Sequence, residues 1–346
     1  MKKILIRCCV VLLATLSALA LWVNSWRDTP HGQLTAPAAI IAKVSTWQAA
    51  GEADASPAAR RASRRNSIGL VTAPPTDMAS VRNQQITGSG APLPIRIYTP
   101  IDSPTPLPIL VYFHGGGWVL GDLDSHDNLC RSLAAKVGAV VVAVDYRLAP
   151  EHIFPAALDD AATALRWTID NASSLNGDPT RLAVAGDSAG GNIAAALSAL
   201  EAEQNSAAIT AQVLLYPAVD LSNLDRQSTL QFAEGYFLSR ERLAWSIQQY
   251  VPDAALRLDP RVSPLLANDH SGLPPTLVIT AEFDPLRDEG EAYAQALDKA
   301  GVSTRMKRFD GVLHGFASMD RWFPEAEQAT DLIATFLKQQ FAPTAQ

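Results

Sequence analysis

The sequence predicts an α/β protein built on a doubly wound, mostly parallel sheet with helices on both faces. Short apolar strands alternate along the chain with helical stretches rich in alanine and leucine, an order typical of parallel sheets. One strand, Val140–Val144, is a nearly continuous β-branched run, the composition of a strand buried on both faces. The 346 residues are 48% hydrophobic and 18% charged, so the chain can form a large core, and a disordered protein is excluded.

From residue 84 onward, strands and helices follow one another in a regular order. The predicted strands are 95–98, 109–113, 140–144, 182–185, 213–216, 277–280 and 304–309. The predicted helices are 128–137, 156–171, 191–203, 289–300 and 324–341. The first two strands have no crossover helix between them, so we expect an antiparallel edge.

The interval 216–277 gives no strand but holds many large apolar residues. Such an insertion is either an ordinary helical excursion or a lid over a substrate pocket, and its place before the last strands favours a lid at about residues 220–265. Core or cap packing explains large apolar residues equally well. The candidate pocket residues are Trp118, Phe232, Tyr236 and Phe237.

Residues 1–26 are predicted to be a signal peptide or an N-terminal anchor. Three basic residues precede the uncharged, mostly apolar run Cys8–Val23, whose 16 residues fall short of the ~20 that cross a bilayer. Ala18-Leu19-Ala20 offers a cleavage site. We therefore expect export to the periplasm or the medium, or membrane association if the segment is retained; a buried N-terminal helix is the alternative.

The next segment, about residues 33–79, is rich in alanine, arginine and proline. Four apolar residues recur at helical offsets and predict one amphipathic helix: Ile40, Ile41, Val44 and Trp47. An arginine cluster follows, for which an exposed helical face is preferred over a phosphate or membrane patch: Arg60, Arg61, Arg64 and Arg65. The net charge of −7 argues against a nucleic-acid partner. Three cysteines exclude a disulfide scaffold.

A candidate nucleophile lies in the pentapeptide Gly186–Gly190, Gly-Asp-Ser-Ala-Gly. A G-x-S-x-G pattern is weak by itself, but this one stands between a predicted strand and a predicted helix, as a nucleophile elbow does. Its glycines permit the tight turn that exposes the Ser188 hydroxyl, and the following helix N-terminus adds oriented amides. Asp187 is read either as tuning this turn or as a solvated or capping residue. An incidental glycine-rich turn is the alternative.

A second motif, His114–Trp118, follows the strand 109–113 and reads His-Gly-Gly-Gly-Trp. Consecutive glycines let a backbone approach a reacting carbonyl and leave N–H groups free. Such a loop, paired with a G-x-S-x-G elbow, forms the oxyanion hole of lipases and esterases. His114 is expected to position this loop.

A serine nucleophile needs a base and an acid that orients the base. His314 lies between the last strand and the last helix, where the loop returns over the carboxyl ends of the strands; the other five histidines are His31, His114, His126, His152 and His270. Asp284 follows the strand 277–280, and the order Ser188, Asp284, His314 is that of α/β-hydrolases. Glu282 and Asp288 are rival acids; Asp284 is preferred because Asp288 should belong to the next helix.

With these residues in view, the chain resembles the hormone-sensitive-lipase-like (family IV) bacterial esterases of the α/β-hydrolase superfamily, over about residues 106–341. The motifs that carry the resemblance are His114–Trp118, Asp145–His152, Phe154–Ala157, Gly186–Gly190, Asp284–Asp288 and His314–Phe316. Ile153 stands where a proline is common in this family, and the leader and arginine-rich stretch are not typical of it.

The resemblance implies an eight-stranded sheet in a hydrolase domain, residues 81–346. It implies a helical cap made from residues 33–80 and the late insertion, with neither metal nor other cofactor. Its oxyanion donors would be the N–H groups of Gly116, Gly117 and Ala189.

The function implied is that of a serine carboxylesterase acting on short- to medium-chain acyl esters of small molecules. An amidase, deacetylase or lactonase would use the same three residues, because the pocket wall sets substrate choice. A non-catalytic binding protein on the same fold is the third reading. The oligomeric state is not readable from the sequence.

Overall fold

The computed structural model describes residues 21–52, 55–101, 104 and 106–342. The predicted leader and its cleavage site lie mostly in residues 1–20, outside the described residues. Within the described ranges, no helix has both the length and the apolar character needed to cross a membrane.

The protein is built on an eight-stranded sheet, as the resemblance implies. The order across the sheet is β3-β4-β6-β5-β7-β8-β9-β10. The strands are β3 Ser80–Thr87, β4 Pro92–Thr99, β5 Leu107–Phe113, β6 Val140–Val144, β7 Gly177–Asp187, β8 Ala211–Leu215, β9 Thr276–Phe283 and β10 Thr304–Leu313. A two-stranded ribbon precedes the sheet, with β1 Asp28–Thr29 and β2 Gly32–Gln33.

The predicted parallel sheet and its antiparallel edge are both confirmed. Strands β5 to β10 pair in parallel, whereas β4 pairs antiparallel with β6 and β3 pairs antiparallel with β4. The edge strand β3 escapes the sequence pattern because it is almost wholly polar, Ser-Val-Arg-Asn-Gln-Gln-Ile-Thr, and only Ile86 is buried. An edge strand with one solvated face needs few apolar residues.

Helices cover both faces of this sheet. They are α1 Ala36–Glu52, α2 Pro57–Val71, α3 Asp127–Val137, α4 Ala156–Asp170, α5 Ala189–Glu203, α6 Gln227–Gln231, α7 Arg240–Tyr250, α8 Arg287–Lys299 and α9 Pro324–Gln340. Shorter 3-10 turns are Ala172–Leu175, Ala254–Leu258, Pro264–Leu266 and Phe316–Ser318. Alternate residues of the central strands face two separate hydrophobic clusters, with α4, α5 and α8 on one side and α3 and α9 on the other. The doubly wound arrangement is therefore confirmed.

The helix predicted around Ile40–Trp47 is confirmed as part of α1, but the apolar face predicted for it is not the buried face. Two helices, α1 and α2, occupy the segment, and α2 begins where Ser56 caps the N–H of Ala59 just before Pro57. On α1 the buried residues are Ala38, Ala39 and Ala42, whereas the large apolar residues are largely exposed: Ile40, Val44 and Trp47. Small side chains let α1 lie close against the carboxyl end of β10, so the close packing falls on the alanine face.

The predicted interval without a strand is confirmed between β8 and β9. It carries the short helix α6 and the longer α7, whose first turn is capped by the Ser239 side chain accepting from the N–H of Arg242. The guanidinium carbon of Arg60 in α2 lies 4.3 Å from the ring centre of Trp245 in α7. Helices α2 and α7 thus meet, and together they cover the end of the sheet where β5 and β7 terminate.

Candidate active site

The Ser188 side chain is presented by a strained turn between β7 and α5. Ser188 has φ 55° and ψ −118°, a conformation that L residues rarely adopt. The turn is possible because its neighbours lack side chains: a Cβ on Gly186 would collide with the carbonyl of Gly190, and a Cβ on Gly190 with that of Phe113. The hydroxyl is thereby held above the carboxyl ends of the central strands.

The structure brings the three predicted residues into one hydrogen-bonded chain. His314 Nε2 lies 2.9 Å from Ser188 Oγ, and His314 Nδ1 lies 2.8 Å from Asp284 Oδ2. The other carboxylate oxygen of Asp284 accepts from the N–H of Leu286 at 2.8 Å. Asp284 is fully buried, so its carboxylate is held in one orientation toward the imidazole.

The two rival acids are bound elsewhere. Strand β9 extends to Phe283, so Glu282 lies within the strand, and its carboxylate accepts from the N–H of Gly311 at 2.6 Å. Asp288 lies in the first turn of α8 and accepts from the N–H of Ser228 at 2.8 Å. Asp284, directly after β9, is the acid that contacts His314.

The glycine loop after β5 lies across from the serine. Gly116 has φ 134° and Gly117 has φ 61°, values that favour glycine, and a Cβ on Gly116 would collide with the carbonyl of Leu120. Within the described part of the chain, the N–H groups of these two glycines donate to no protein acceptor. Ala189 opens helix α5, so its N–H has no intrahelical partner. All three border the cavity that contains Ser188 and His314.

A buried carboxylate that the sequence reading left unresolved, Asp187, fixes this loop to the elbow. Its Oδ1 accepts from the hydroxyl of Tyr112 at 2.6 Å and from the N–H of Gly115 at 2.8 Å, and it lies 3.1 Å from His126 Nε2. Burial by itself would raise the pKa of Asp187, but the charge and hydrogen bond of His126 outweigh it and hold the pKa below its usual value. Asp187 is therefore neither solvated nor a helix cap. Its place at the end of a buried strand is the signal that could have identified it.

Asp187→Asn is expected to lower kcat for ester hydrolysis by about 10²-fold, since Gly115 would lose a charged acceptor and the adjoining N–H groups would shift. KM should change less, because ground-state binding does not depend on those donors. Tyr112→Phe removes one neutral donor and should lower kcat by less than about tenfold. Steady-state kinetics on both variants, with thermal unfolding as a folding check, provide the measurement. A folded Asp187→Asn protein with wild-type kcat would contradict the positioning role.

His114 contacts the same loop from behind. Its Nδ1 lies 3.0 Å from the carbonyl oxygen of Gly115, its ring stacks on Tyr146, and the Tyr146 hydroxyl donates to its carbonyl at 2.7 Å. Burial, helped by the nearby His126, lowers the pKa of His114 to about 4. The imidazole is therefore neutral near pH 7, where its Nδ1 can donate to the Gly115 carbonyl.

The cavity beside Ser188 is lined by two of the four predicted pocket residues. Trp118, only 1% exposed, stacks on Tyr250 with ring centres 4.7 Å apart, and Phe237 lies near Gly315. Phe232 and Tyr236 are not in the cavity lining. They pack against each other and against Phe283, so the prediction for these two is corrected.

The predicted solvated face of the arginine cluster is also wrong. Arg60 is buried and Arg64 half-buried, and both line the cavity. Arg61 and Arg65 form ion pairs with Glu151 and Asp122 on the main body of the fold. The sequence pattern could not show which arginines face the cavity and which form ion pairs, because Glu151 and Asp122 lie far away in the sequence.

The residues that the structure describes contain no group of three or more histidine, cysteine or acidic side chains arranged to hold a metal ion.

Comparison with known proteins identifies the family to which the chain belongs. A family model described as "alpha/beta hydrolase fold" matches residues 110–318. An ethyl acetate hydrolase from Pseudomonas putida is 44% identical over 256 residues, 73% of this chain and 80% of that protein. An arylesterase from Saccharolobus solfataricus is 40% identical over 274 residues, 79% of this chain and 88% of that protein.

A solved structure gives the same result. The ester-hydrolase EH1AB1 from the metagenome of Lake Arreo, complexed with a bipyridine phosphonate derivative, is 39% identical with a TM-score of 0.85, covering 89% of this chain and 99% of that one. The predicted fold and the predicted enzyme class, a hydrolase of carboxylic esters, are confirmed by these relatives. The chain belongs to the α/β-hydrolase fold and, within it, to the hormone-sensitive-lipase-like (family IV) esterases.

Proposed function

We propose that this protein is a serine carboxylesterase in which Ser188 is the nucleophile, His314 the general base and Asp284 the orienting acid. The observation that carries the proposal is the hydrogen-bonded chain from Ser188 Oγ through His314 to Asp284, with distances of 2.9 and 2.8 Å. This chain opens onto a cavity bordered by the glycine loop. A nucleophile, a base within hydrogen-bond reach and a third group orienting the base are the parts that acyl transfer requires.

The proposed reaction has two halves. The Ser188 oxygen attacks the ester carbonyl carbon as its proton passes to His314 Nε2, and the resulting oxyanion is bound by the N–H groups of Gly116, Gly117 and Ala189. The bond to the alcohol oxygen then breaks, and the alcohol leaves with the proton from His314. Water, deprotonated by His314, attacks the acyl-enzyme, and the acid is released as Ser188 recovers its proton.

The size of the cavity supports short- to medium-chain substrates. Its volume is about 190 Å³, and an engineered protein cavity of about 150 Å³ encloses a benzene ring. On that scale, an acyl group of roughly eight non-hydrogen atoms fits beside Ser188. A long acyl chain would have to extend into solvent.

Rates on matched substrates test this proposal. We expect kcat/KM for 4-nitrophenyl esters to be greatest between acetate and octanoate and to fall by about tenfold or more toward palmitate, since the added methylenes find no cavity. The matched 4-nitroanilides should be hydrolysed at least about 10²-fold more slowly, because an amide carbonyl is less electrophilic than an ester carbonyl and an anilide is a poorer leaving group than a phenolate. Faster hydrolysis of the anilides would favour an amidase, and hydrolysis of neither series would favour a binding protein.

We also propose that residues 1–26 carry the chain out of the cytoplasm or hold it at a membrane. The support is the basic start followed by an apolar run in the sequence, together with an exposed aromatic group where that run joins the fold. Trp22 and Trp47 are 55% and 64% exposed, and both pack on Trp26. Cell fractionation should find the full chain outside the cytoplasm and a chain starting at residue 27 inside it; identical distributions would contradict this.

A further inference from the structure

One side of helix α2 forms a wall of the cavity that contains Ser188. Five of its residues border the cavity, at spacings of one to four that place them on one side of a helix: Arg60, Arg64, Ser67, Ile68 and Val71. Arg61 and Arg65 lie next to this side and do not border the cavity. Helix α2 therefore directs two of its four arginines toward the reacting centre.

The arginines outside the cavity are satisfied by the protein. Arg61 donates to both carboxylate oxygens of Glu151, at 2.8 and 2.7 Å, and also to a backbone carbonyl of the loop after Gly117, that of Val119. Arg65 forms an ion pair with Asp122 at 3.3 Å. The contacts of Arg61 fix the helix, and hence its cavity side, relative to the glycine loop, whereas the Arg65 side chain is 61% exposed and its ion pair contributes little.

Arg64 is different. Its side chain makes no hydrogen bond or ion pair anywhere in the ranges that the structure describes, and its Nε is buried. Two other arginines at the cavity have protein contacts: Arg60 stacks over Trp245, and Arg242 donates to the carbonyl of Phe237 at 3.3 Å. A buried donor without an acceptor in the protein is satisfied by water or by a bound group, and the place of Arg64 on the cavity wall makes a substrate group the candidate partner.

The surroundings of Arg64 favour an anion. Asp187 is the one carboxylate among the described cavity-lining residues. It already accepts hydrogen bonds from Tyr112 and Gly115 and lies 3.1 Å from His126 Nε2. Most of the remaining lining is apolar, so charges there are weakly screened. Burial raises the pKa of Tyr216 well above its usual value, and the positive charge of Arg64 is among the influences opposing that rise. Arg64 borders the same cavity as Ser188 and His314, so its charge faces the space in which an ester would react.

We propose that Arg64 is a specificity-determining residue that binds a carboxylate carried by the substrate, so that the preferred substrates are carboxylic esters with a free carboxylate, such as monoesters of dicarboxylic acids. A guanidinium presents paired N–H groups that match the two oxygens of a carboxylate. This inference rests on the esterase activity proposed above and names its substrate class.

The test compares two length-matched esters that differ by one carboxylate. Monoethyl adipate and ethyl hexanoate are hydrolysed by the full chain at pH 7.5 in a pH-stat, and the ratio of their kcat/KM values is determined. Arg64→Gln should lower this ratio by about tenfold or more, the loss of one charge-assisted hydrogen bond. Arg64→Lys should retain part of it, because a point charge remains without the fork. Arg65→Gln, on the same helix, is the matched control and should change neither the ratio nor the rate on ethyl hexanoate.

A second pair, 4-acetoxybutyrate and butyl acetate, places the carboxylate on the alcohol side. A ratio that falls in either pair supports the proposal and identifies the side that faces Arg64. Unchanged ratios in both pairs for Arg64→Gln, with ethyl hexanoate still hydrolysed, would overturn the proposal and leave the esterase activity standing. An equal fall in Arg65→Gln would also overturn it, since the effect would then be one of overall charge. Absence of hydrolysis of every ester by the wild-type chain would overturn both.

Discussion

Replacing Ser188 with alanine is expected to lower kcat for 4-nitrophenyl butyrate by about 10⁴- to 10⁶-fold. The substitution removes the oxygen that lies 2.9 Å from His314 Nε2, so no acyl-enzyme forms and only attack by water is left. The glycine amides and the cavity remain, and binding and polarisation of the carbonyl should preserve a small residual rate. The measurement is steady-state hydrolysis at high enzyme concentration, with release of 4-nitrophenol followed over hours.

The fold should survive this substitution because alanine keeps the Cβ and the backbone of the elbow. Thermal unfolding should therefore differ from wild type by only a few degrees. Ser198→Ala is a matched control on α5, the helix that follows Ser188: its hydroxyl is buried and donates to the carbonyl of Ala194, away from the cavity. That variant should keep wild-type kcat. Retention of substantial activity by folded Ser188→Ala would mean that another group forms the acyl-enzyme.

The sheet was predictable where strands are buried on both faces and not where they are exposed. The run Val140–Val144 forms β6 with the predicted bounds, because burial on both sides demands apolar residues at every position. Strand β3 has no such apolar run, because it lies at the edge of the sheet and most of its residues are exposed to solvent. Helix α1 is the opposite case: its large apolar residues are exposed and its alanines are buried, so the size of a side chain does not indicate its burial there.

The candidate nucleophile and the glycine loop were predictable because their local sequences determine their backbone geometry. The glycines around Ser188 are required by its turn, and the glycines after His114 by their positive φ values. The role of Asp187 depends on Tyr112, Gly115 and His126, which come from other segments of the chain. The role proposed for Arg64 depends on its having no partner in the described protein. Neither condition can be recognised from the spacing of neighbouring residues. Phe232 was misplaced because an aromatic residue in an insertion serves a pocket or a core equally well in sequence.

Asp284→Asn is expected to lower kcat by about 10⁴-fold with little change in KM. The carboxylate accepts from His314 Nδ1 at 2.8 Å, which keeps Nε2 free to accept the Ser188 proton and stabilises the imidazolium that forms. An amide at this position can donate to Nδ1 and so favour the wrong tautomer of the imidazole. The measurement is kcat and KM on 4-nitrophenyl butyrate, with unfolding temperature as the control for structure.

The two rival acids make this prediction specific to one carboxylate. Glu282→Gln keeps an acceptor for the N–H of Gly311, and Asp288→Asn keeps one for the N–H of Ser228, so each should lower kcat by less than about tenfold, the loss expected when a charged acceptor becomes neutral. All three substitutions remove one negative charge from residues 282–288, at the end of β9 and the start of α8, so a general electrostatic effect would act on them similarly. A loss confined to Asp284→Asn would therefore identify direct contact with His314 as the cause, whereas comparable losses in all three would assign the effect to the charge of the segment. A loss greatest in Glu282→Gln would instead indicate that the contact holding Gly311 near the end of β10, and not orientation of the imidazole, limits the reaction.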